Sequence, residues 1–169
     1  KYAISRFGSG SHLMPIVDAH TKKIQLKKEQ FHVIKNLEGA LKSLSQNETD
    51  AFYWEKYTTK PYVDNGTLKH LGDYVTPWPC FMIAATNEIL SREKNTIDNL
   101  LKVIYFTSKQ FMTSPTAVEE VSKRYNQKIE DVEAWFHATE WRVTSDISDK
   151  FLENVLHTLN VAGIIEKKP

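Results

Sequence analysis

The stretch Gly8-Ser9-Gly10-Ser11-His12 decides the fold of the first part of the chain, because of the segments on either side of it. Residues 2–5 before it read as a strand, and residues 13–17 after it carry apolar side chains at helical spacing. A strand, a Gly/Ser turn and a helix N-terminus in this order leave backbone N–H groups that point at one spot, where the helix dipole adds positive potential. The stretch therefore predicts a site for a small anionic or polar ligand or, as the plainer alternative, a well-capped strand-to-helix turn.

The helix that follows this turn should begin at a serine. Ser9 or Ser11 is expected as its N-cap, since a serine hydroxyl can accept a hydrogen bond from a backbone N–H of the first turn. We expect Pro15 to lie in that first turn, where a proline costs no hydrogen bond.

The composition predicts a globular protein and excludes some functions. Of the 169 residues, 41% are hydrophobic and 11% aromatic, which is typical of a folded domain. Lys and Arg number 22 against 21 Asp and Glu, and the net charge of +1 gives no electrostatic basis for binding nucleic acid. No apolar run is long enough to insert into a membrane. The single cysteine, Cys80, excludes an intramolecular disulfide and fits a reducing compartment, so we expect a cytoplasmic protein.

Strand and helix signals alternate over residues 1–85, and helical signals alone follow. Further strands are predicted at residues 31–34, 50–54 and 68–71, and the continuous apolar run at residues 80–85 predicts a buried strand. This alternation predicts an α/β fold with a parallel or mixed sheet covered by helices, whose ligands bind at the carboxyl ends of the strands.

Local signals predict where several helices begin or end. Asn36 should cap one helix, and Ser114-Pro115 should provide the N-cap and first residue of another. Ser148 should cap the last helix and Gly163 should end it. The aromatic residues of the helical half are interpreted as packing residues; they are Tyr105, Phe111, Trp135 and Trp141.

Three patches combine residues that suit a ligand site. The first is the Gly/Ser turn with His12. The second is residues 54–61, Trp-Glu-Lys-Tyr-Thr-Thr-Lys-Pro, and the third is residues 76–79, Thr-Pro-Trp-Pro, whose prolines hold the backbone extended. All three sit at the ends of predicted strands, so we expect one cleft edge to collect them.

Four segments together resemble the type-2 periplasmic-binding-protein superfamily. They are residues 6–12 (Arg-Phe-Gly-Ser-Gly-Ser-His), 50–55 (Asp-Ala-Phe-Tyr-Trp-Glu), 59–61 (Thr-Lys-Pro) and 76–81 (Thr-Pro-Trp-Pro-Cys-Phe). The chain looks most like the branch related to nitrate, sulfonate, taurine and thiamine-precursor binders, and within it like a group of intracellular fungal proteins. The resemblance covers nearly the whole chain, and it rests on the order and spacing of the segments.

The resemblance implies two α/β lobes with a ligand held between them. Residues 1–79 would form the second, ligand-binding lobe, a mixed sheet flanked by helices. Residues 80–169 would supply a return strand and helices that belong to the first lobe. The N-terminal half of the first lobe would be absent from this sequence, which opens on Lys1 in mid-strand and which we interpret as a fragment.

The resemblance also implies a set of ligand-binding residues. The Gly/Ser turn matches the family's ligand-facing helix N-terminus, a Trp-Glu pair matches its cleft-facing pair, and a second tryptophan would close over a ring. In chain order the set is Ser9, Gly10, Ser11, His12, Trp54, Glu55, Tyr57, Lys60 and Trp78.

Plainer roles stay open for several of these residues. His12 can be an ordinary helix-start residue and Trp54 a core residue. Glu55 can pair with Lys56 or Lys60 at the surface, where an ion pair stabilises little. Trp78 between its prolines can be a structural wedge.

The function implied is that of a solute-binding protein for a small polar, anionic or heteroaromatic metabolite, such as a sulfonate or a pyrimidine precursor of thiamine. We expect no cofactor, no metal and no catalytic residue. The partner would be the small molecule, with a transporter or the missing lobe segment as a further partner.

Two alternatives belong to other classes of protein. One is an enzyme, since the pyrimidine-precursor synthases of thiamine biosynthesis share this fold; this chain has only Cys80 where they have a cysteine-rich segment. We expect Cys80 to be buried and inert at the start of a strand. The other alternative is an interaction module that holds no small ligand.

Overall fold

The computed structural model of the protein describes residues 1–141, 144 and 146–165. The chain divides into two compact units. Lys1–Pro79 and the segment that begins at Ser148 form the first unit, and Cys80–Ile147 forms the second. The assignment of residues 1–79 and 80–169 to two lobes of a binding protein stays a prediction.

The first unit contains a parallel three-stranded sheet. Its strands are β1 (Tyr2–Ile4), β2 (Phe31–Val33) and β3 (Ala51–Phe52), in the spatial order β2-β1-β3. Tyr2 pairs with Phe31 on one side and with Ala51 on the other, so β1 is the central strand. The predicted α/β fold with a sheet flanked by helices is confirmed.

Seven helices accompany these strands in the described residues. The first unit has α1 (Gly10–Thr21), α2 (Leu37–Ser45), α3 (Lys56–Asp64) and α7 (Asp149–Val161), and a short 3₁₀ turn at Lys28–Gln30 precedes β2. The second unit has α4 (Asn87–Thr113), α5 (Ala117–Tyr125) and α6 (Ile129–Ala138). Of the helices in the described ranges, none has both the length and the apolar character needed to cross a membrane.

The two faces of the sheet are covered by different helices. On the α1 face, the Tyr2 ring lies 6.1 Å from the rings of Phe31 and Tyr53, and the ring of His12 in α1 lies 4.8 Å from Phe31. The strand order explains why the helices lie on opposite faces. The chain moves from β1 to β2 in one direction and back past β1 to β3 in the other, and parallel crossovers are right-handed as a rule.

The α2 face carries a cluster of buried apolar residues. Ala3 of β1 and Ala40 of α2 are fully buried there, Ile34 is buried beside them, and the partly buried rings of Phe52 and Trp54 pack against this cluster. Residues on β1 and β3 alternate between the faces, which is the period of two expected for strands.

Several predicted helix ends are confirmed. The Asn36 side chain accepts a hydrogen bond from the Gly39 N–H at 2.9 Å and so caps α2. The Ser148 hydroxyl accepts from the Phe151 N–H at 3.2 Å and caps α7, and Gly163 with φ +69° follows the end of that helix. These signals are local, which is why the sequence was enough to find them.

Two predictions about helix starts are wrong. Pro15 lies inside α1 as its sixth residue and is fully buried, because the helix begins at Gly10. Ser114 ends α4, and the next helix begins two residues after Pro115, with Thr116 as its N-cap.

Two predicted strands are not formed. Within the described residues, 68–71 and 80–85 pair with no strand of the sheet. Residues 80–85 are exposed, with the Phe81 side chain fully accessible, so the predicted buried strand is wrong. An apolar run becomes a buried strand only where another strand lies beside it to satisfy its N–H and C=O groups.

Aromatic rings from α4, from α6 and from the segment after α6 pack together in the second unit. The Phe111 ring on α4 lies 5.6 Å from Phe136 on α6 and 5.2 Å from Trp141, and Trp135 lies 5.8 Å from Trp141. The interpretation of Phe111, Trp135 and Trp141 as packing residues is therefore confirmed. The Trp141 Nε1–H is buried with no hydrogen-bond partner among the described residues.

A polar contact between α1 and the end of β3 holds the α1 face together. The buried Asp18 carboxylate accepts hydrogen bonds from the Tyr53 hydroxyl at 2.5 Å and from Lys22 Nζ at 2.7 Å. Burial alone would raise the pKa of the Asp18 carboxyl, but the hydrogen bonds from Lys22 and Tyr53 outweigh burial and hold it below its ordinary value. Burial, and then the hydrogen bond to Asp18, raise the pKa of the Tyr53 hydroxyl.

Replacing Tyr53 by Phe should destabilise the protein in a pH-dependent way. The variant leaves a buried carboxylate short of one donor, which costs about 1.5–3 kcal/mol for a hydrogen bond to a charged group. Because the pKa of Asp18 is lower in the folded state, this contribution is present above the ordinary Asp pKa of about 4 and is lost as the pH falls through the folded-state pKa. Urea unfolding of the wild type and Tyr53→Phe at several pH values measures the difference. Tyr125→Phe, at an exposed position, is the control, and equal losses in the two variants at neutral pH would contradict the role of Asp18.

Replacing Gly39 by Ala should also destabilise the protein, although alanine favours helices by about 1 kcal/mol. A Cβ at Gly39 would lie 2.1 Å from the Ile34 carbonyl oxygen, a backbone atom that cannot move aside without shifting the start of α2. We expect a loss of about 1–3 kcal/mol, as for overpacked sites. Gly10→Ala, where a Cβ meets no atom within 4 Å, is the matched control in the same unfolding experiment. A Gly39→Ala variant as stable as Gly10→Ala would show that the contact is relieved at no cost.

Candidate functional site

The order of the strands creates a switch point between β1 and β3. The chain leaves β1 toward α1 on one face, whereas β3 is reached through α2 on the other face. In open parallel sheets, ligands bind outside the carboxyl ends of the strands at such a point. Residues 5–9 follow β1 and residues 53–55 follow β3, so the topology brings the first two predicted patches to the same edge of the sheet.

Serine hydroxyls hold the loop after β1 in place. Ser11 Oγ accepts a hydrogen bond from the Ser5 N–H at 2.9 Å and lies 2.9 Å from Ser9 Oγ. Ser9 Oγ donates to the Arg6 carbonyl oxygen at 2.6 Å. Ser9 is the N-cap of α1 by position, as predicted, but its hydroxyl bonds back into the loop and caps no N–H of the helix. Both serine side chains are buried, so neither hydroxyl is presented outward.

The N-terminus of α1 therefore keeps open donors. Among the described residues, the backbone N–H groups of Gly10 and Ser11 have no acceptor, whereas those of His12 and Leu13 bond to the Ser9 carbonyl oxygen. Gly10 is exposed. Two unpartnered N–H groups at the positive end of a 12-residue helix favour a negatively charged group.

The charged groups around this helix start are mostly positive. The first turn of α1 contains no acidic residue. Arg6 is exposed in the loop, and Lys28 Nζ lies 5.6 Å from the centre of the Phe7 ring. The surroundings thus add positive charge to the helix dipole.

His12 is part of the same loop. Its Nδ1 accepts a hydrogen bond from the Gly8 N–H at 3.1 Å, and its ring makes edge-to-face contacts with Phe7 at 5.1 Å and Phe31 at 4.8 Å. Burial lowers the pKa of the His12 imidazole. His12 therefore shapes the loop through a bond that requires its neutral form.

Trp54 follows β3 at the same edge, but its side chain turns to the other face. It packs on the α2 face against Ala3, Ile34 and Ala40, with its ring 6.0 Å from Phe52. His12 contacts Phe31 on the α1 face. The sheet thus separates the rings of His12 and Trp54, although their backbone segments meet at one edge.

Glu55 is the N-cap of α3. Its carboxylate accepts hydrogen bonds from the Tyr57 N–H at 3.1 Å and the Thr58 N–H at 2.6 Å. The plainer alternative, a surface pair of Glu55 with Lys56 or Lys60, is not among the ion pairs of the described residues: Lys56 bonds to Asp73 at 2.9 Å and Lys60 to Asp64 at 2.7 Å. Neither this cap nor α3 itself was predicted from the sequence.

The remaining residues of the predicted set lie on α3 and in the long loop after it. Tyr57 is in the first turn of α3, with Lys56 Nζ 6.0 Å from its ring centre. Trp78 is half-buried in the loop before α4.

Cys80, expected to be buried, is exposed, because the strand predicted for it is not formed. In the described ranges, no group of three or more His, Cys, Asp or Glu side chains is placed to hold a metal ion.

Sequence reasoning missed the contact of Asp18 with Tyr53 and Lys22. Tyr74 extends it, with its ring 6.5 Å from Tyr53. An aspartate inside the apolar run 16–19 was the available signal, since a carboxylate on the buried side of a helix needs a donor. The partner lies 35 positions away, and no local pattern connects the two residues.

Comparison with known proteins supports the fold. Residues 1–74 match the model of the Ca3427-like PBP family. The comparison with curated proteins gave no match. Among solved structures, the Candida albicans CA3427 gene product, described as defining a new family with the generic periplasmic binding protein fold, is similar with a TM-score of 0.90 and 25% identity. The similarity covers 100% of this chain and 58% of that protein's chain.

The parallel sheet, its flanking helices and both comparisons lead to the same conclusion. The chain has the periplasmic binding protein fold, and its residues 1–74 are similar to the Ca3427-like PBP family.

Proposed function

We propose that the protein binds a small anionic metabolite at the N-terminus of α1, with the loop at residues 5–9 and the Gly10 and Ser11 N–H groups as its main contacts. The observation that carries this proposal is the pair of unpartnered N–H groups at the switch point between β1 and β3. The similarity to proteins with the periplasmic binding protein fold supports a binding role, and the switch point is where open parallel sheets bind ligands.

The charge at this position supports an anion over a neutral solute. A carboxylate, sulfonate or phosphate group would accept from both N–H groups and gain from the helix dipole. Arg6 and Lys28 would add long-range attraction. The predicted classes, sulfonates and pyrimidine-type thiamine precursors, fit this proposal when they carry an anionic group.

Other members of the predicted set take supporting roles in this proposal. His12 and the serines would shape the loop, and Glu55 would fix the start of α3 beside it. Trp54, Tyr57, Lys60 and Trp78 stay candidates for contacts with the rest of the ligand. We propose a cytoplasmic location, with which the single cysteine is compatible.

Thermal unfolding with chosen probes tests the proposal. The probes are inorganic phosphate, methanesulfonate, taurine, a hydroxymethylpyrimidine and the phosphate ester of that pyrimidine. A ligand at 100 times its Kd stabilises the folded state by about 2.7 kcal/mol, which raises Tm by about 5–10 °C in a chain of this size. We expect stabilisation by at least one anion, and by the phosphate ester more than by its alcohol.

Substitutions at Gly10 locate the binding. Gly10→Pro removes an N–H that has no partner in the protein, and proline is accepted at the first helical position after the extended Ser9 (φ −78°, ψ 166°). Losing one hydrogen bond to a charged ligand costs about 1.5–3 kcal/mol, or about 10- to 100-fold in Kd. Gly10→Ala keeps the N–H and adds a methyl group in open space, so it should bind at least tenfold more tightly than Gly10→Pro. Equal affinities for the two variants would contradict the site, and an absence of stabilisation by every probe would favour the interaction module.

A further inference from the structure

We propose that His12 is a pH-sensitive latch for the loop at residues 6–12, which closes when the imidazole is neutral and opens when it is protonated. The latch is the hydrogen bond from the Gly8 N–H to His12 Nδ1, at 3.1 Å. Neutral imidazole can accept through one nitrogen, whereas imidazolium carries a proton on both and accepts nothing. Protonation therefore removes the acceptor and places two N–H groups against each other.

The outer part of the loop depends on this bond, because the Gly8 N–H has no other acceptor in the described residues. Gly8 is exposed, with φ +78°. Within the described residues its N–H bonds only to His12, while the next residue, Ser9, is tied back to the Arg6 carbonyl oxygen through both its N–H and its hydroxyl. Opening of the latch would therefore free Phe7 and Gly8 first, on the outer side of the serine contacts.

The surroundings of His12 oppose its protonation from several sides. His12 is the third residue of α1, where the helix dipole disfavours a cation. Its ring is partly buried between Phe7 and Phe31, and burial lowers its pKa. Folding therefore favours the neutral imidazole, which is the form that the latch needs.

The charged groups on the elements packed against His12 are mostly cationic. Arg6 lies in the loop itself, and Lys28 on the 3₁₀ turn lies over Phe7. Glu29 on that turn is exposed. His32 on β2 lies 3.9 Å from Glu48, and Asp18 further along α1 is engaged by Lys22 and Tyr53. No carboxylate bonds to the His12 ring in the described part of the chain, so no acid offsets the effect of burial.

The sign of the pH dependence follows from the lowered pKa. Between the folded-state pKa and the ordinary His value of about 6.5, the unfolded chain binds more protons at His12 than the folded chain. Above about pH 6.5, His12 is neutral in both states and leaves the free energy of unfolding unchanged. As the pH falls below that value, His12 lowers the free energy of unfolding. The same protonation would remodel the loop of the proposed anion site; that link rests on the proposed function, while the latch itself is measured without ligand.

Nuclear magnetic resonance of the ligand-free chain tests the latch. We expect the His12 ring to titrate below pH 6.5 and the Gly8 amide proton to move upfield with the same midpoint, as it loses its acceptor. In His12→Asn, Oδ1 occupies the position of Nδ1 and accepts at every pH, so the Gly8 amide should show no midpoint. His20→Asn, which removes an exposed histidine of the same helix, should leave the Gly8 titration as in the wild type.

Three results would overturn the latch. They are a Gly8 amide that does not respond while His12 titrates, a His12 pKa above 6.5, and a His12→Asn variant with the wild-type Gly8 titration. Each of these results would leave the proposed anion site untouched, since that site is tested by ligand binding to the Gly10 variants.

Discussion

Parallel pairing of β1 with a strand on each side is the constraint on which the first unit depends. β1 is only three residues long, but it bonds to both β2 and β3 and therefore fixes which residues face α1 and which face α2. Ala3 is fully buried at the centre of the α2 face, and Tyr2 carries the aromatic contacts of the α1 face. The same pairing sets the switch point at which the Gly/Ser loop and the end of β3 meet.

In the loop after β1, the side chains hold the loop in place, and the backbone N–H groups at the start of α1 are the groups proposed to bind the ligand. The serine hydroxyls satisfy the loop's own polar groups, and His12 secures its outer side. The Gly10 and Ser11 N–H groups are then left without an acceptor in the described residues, and the first turn of α1 has no acidic side chain to serve as one. A segment that resembles an ordinary cap thus presents a rigid, positively polarised surface. Its side chains supply rigidity, and its backbone supplies the donors.

The sequence predicted those features of the fold that depend only on neighbouring residues. The strand before the Gly/Ser turn, the helix after it, and the caps at Asn36 and Ser148 depend on neighbours within a few residues. The apolar run at residues 80–85 did not become a strand, because a strand also needs a partner that local sequence does not specify. The rings of His12 and Trp54 lie on opposite faces of the sheet because α1 packs on one face and the side chain of Trp54 turns to the other, and both placements depend on tertiary packing. The contact between Asp18 and Tyr53 joins positions too far apart in the chain for any periodic pattern to reveal.

The central claim is that the open N–H groups at the start of α1 receive an anion. Titration of the ¹⁵N-labelled chain with methanesulfonate or phosphate, followed amide by amide, tests it most directly. We predict saturable shifts that are largest at the Gly10 and Ser11 amides. Shifts confined to exposed lysines and without saturation, with the Gly10 and Ser11 amides unmoved, would contradict it.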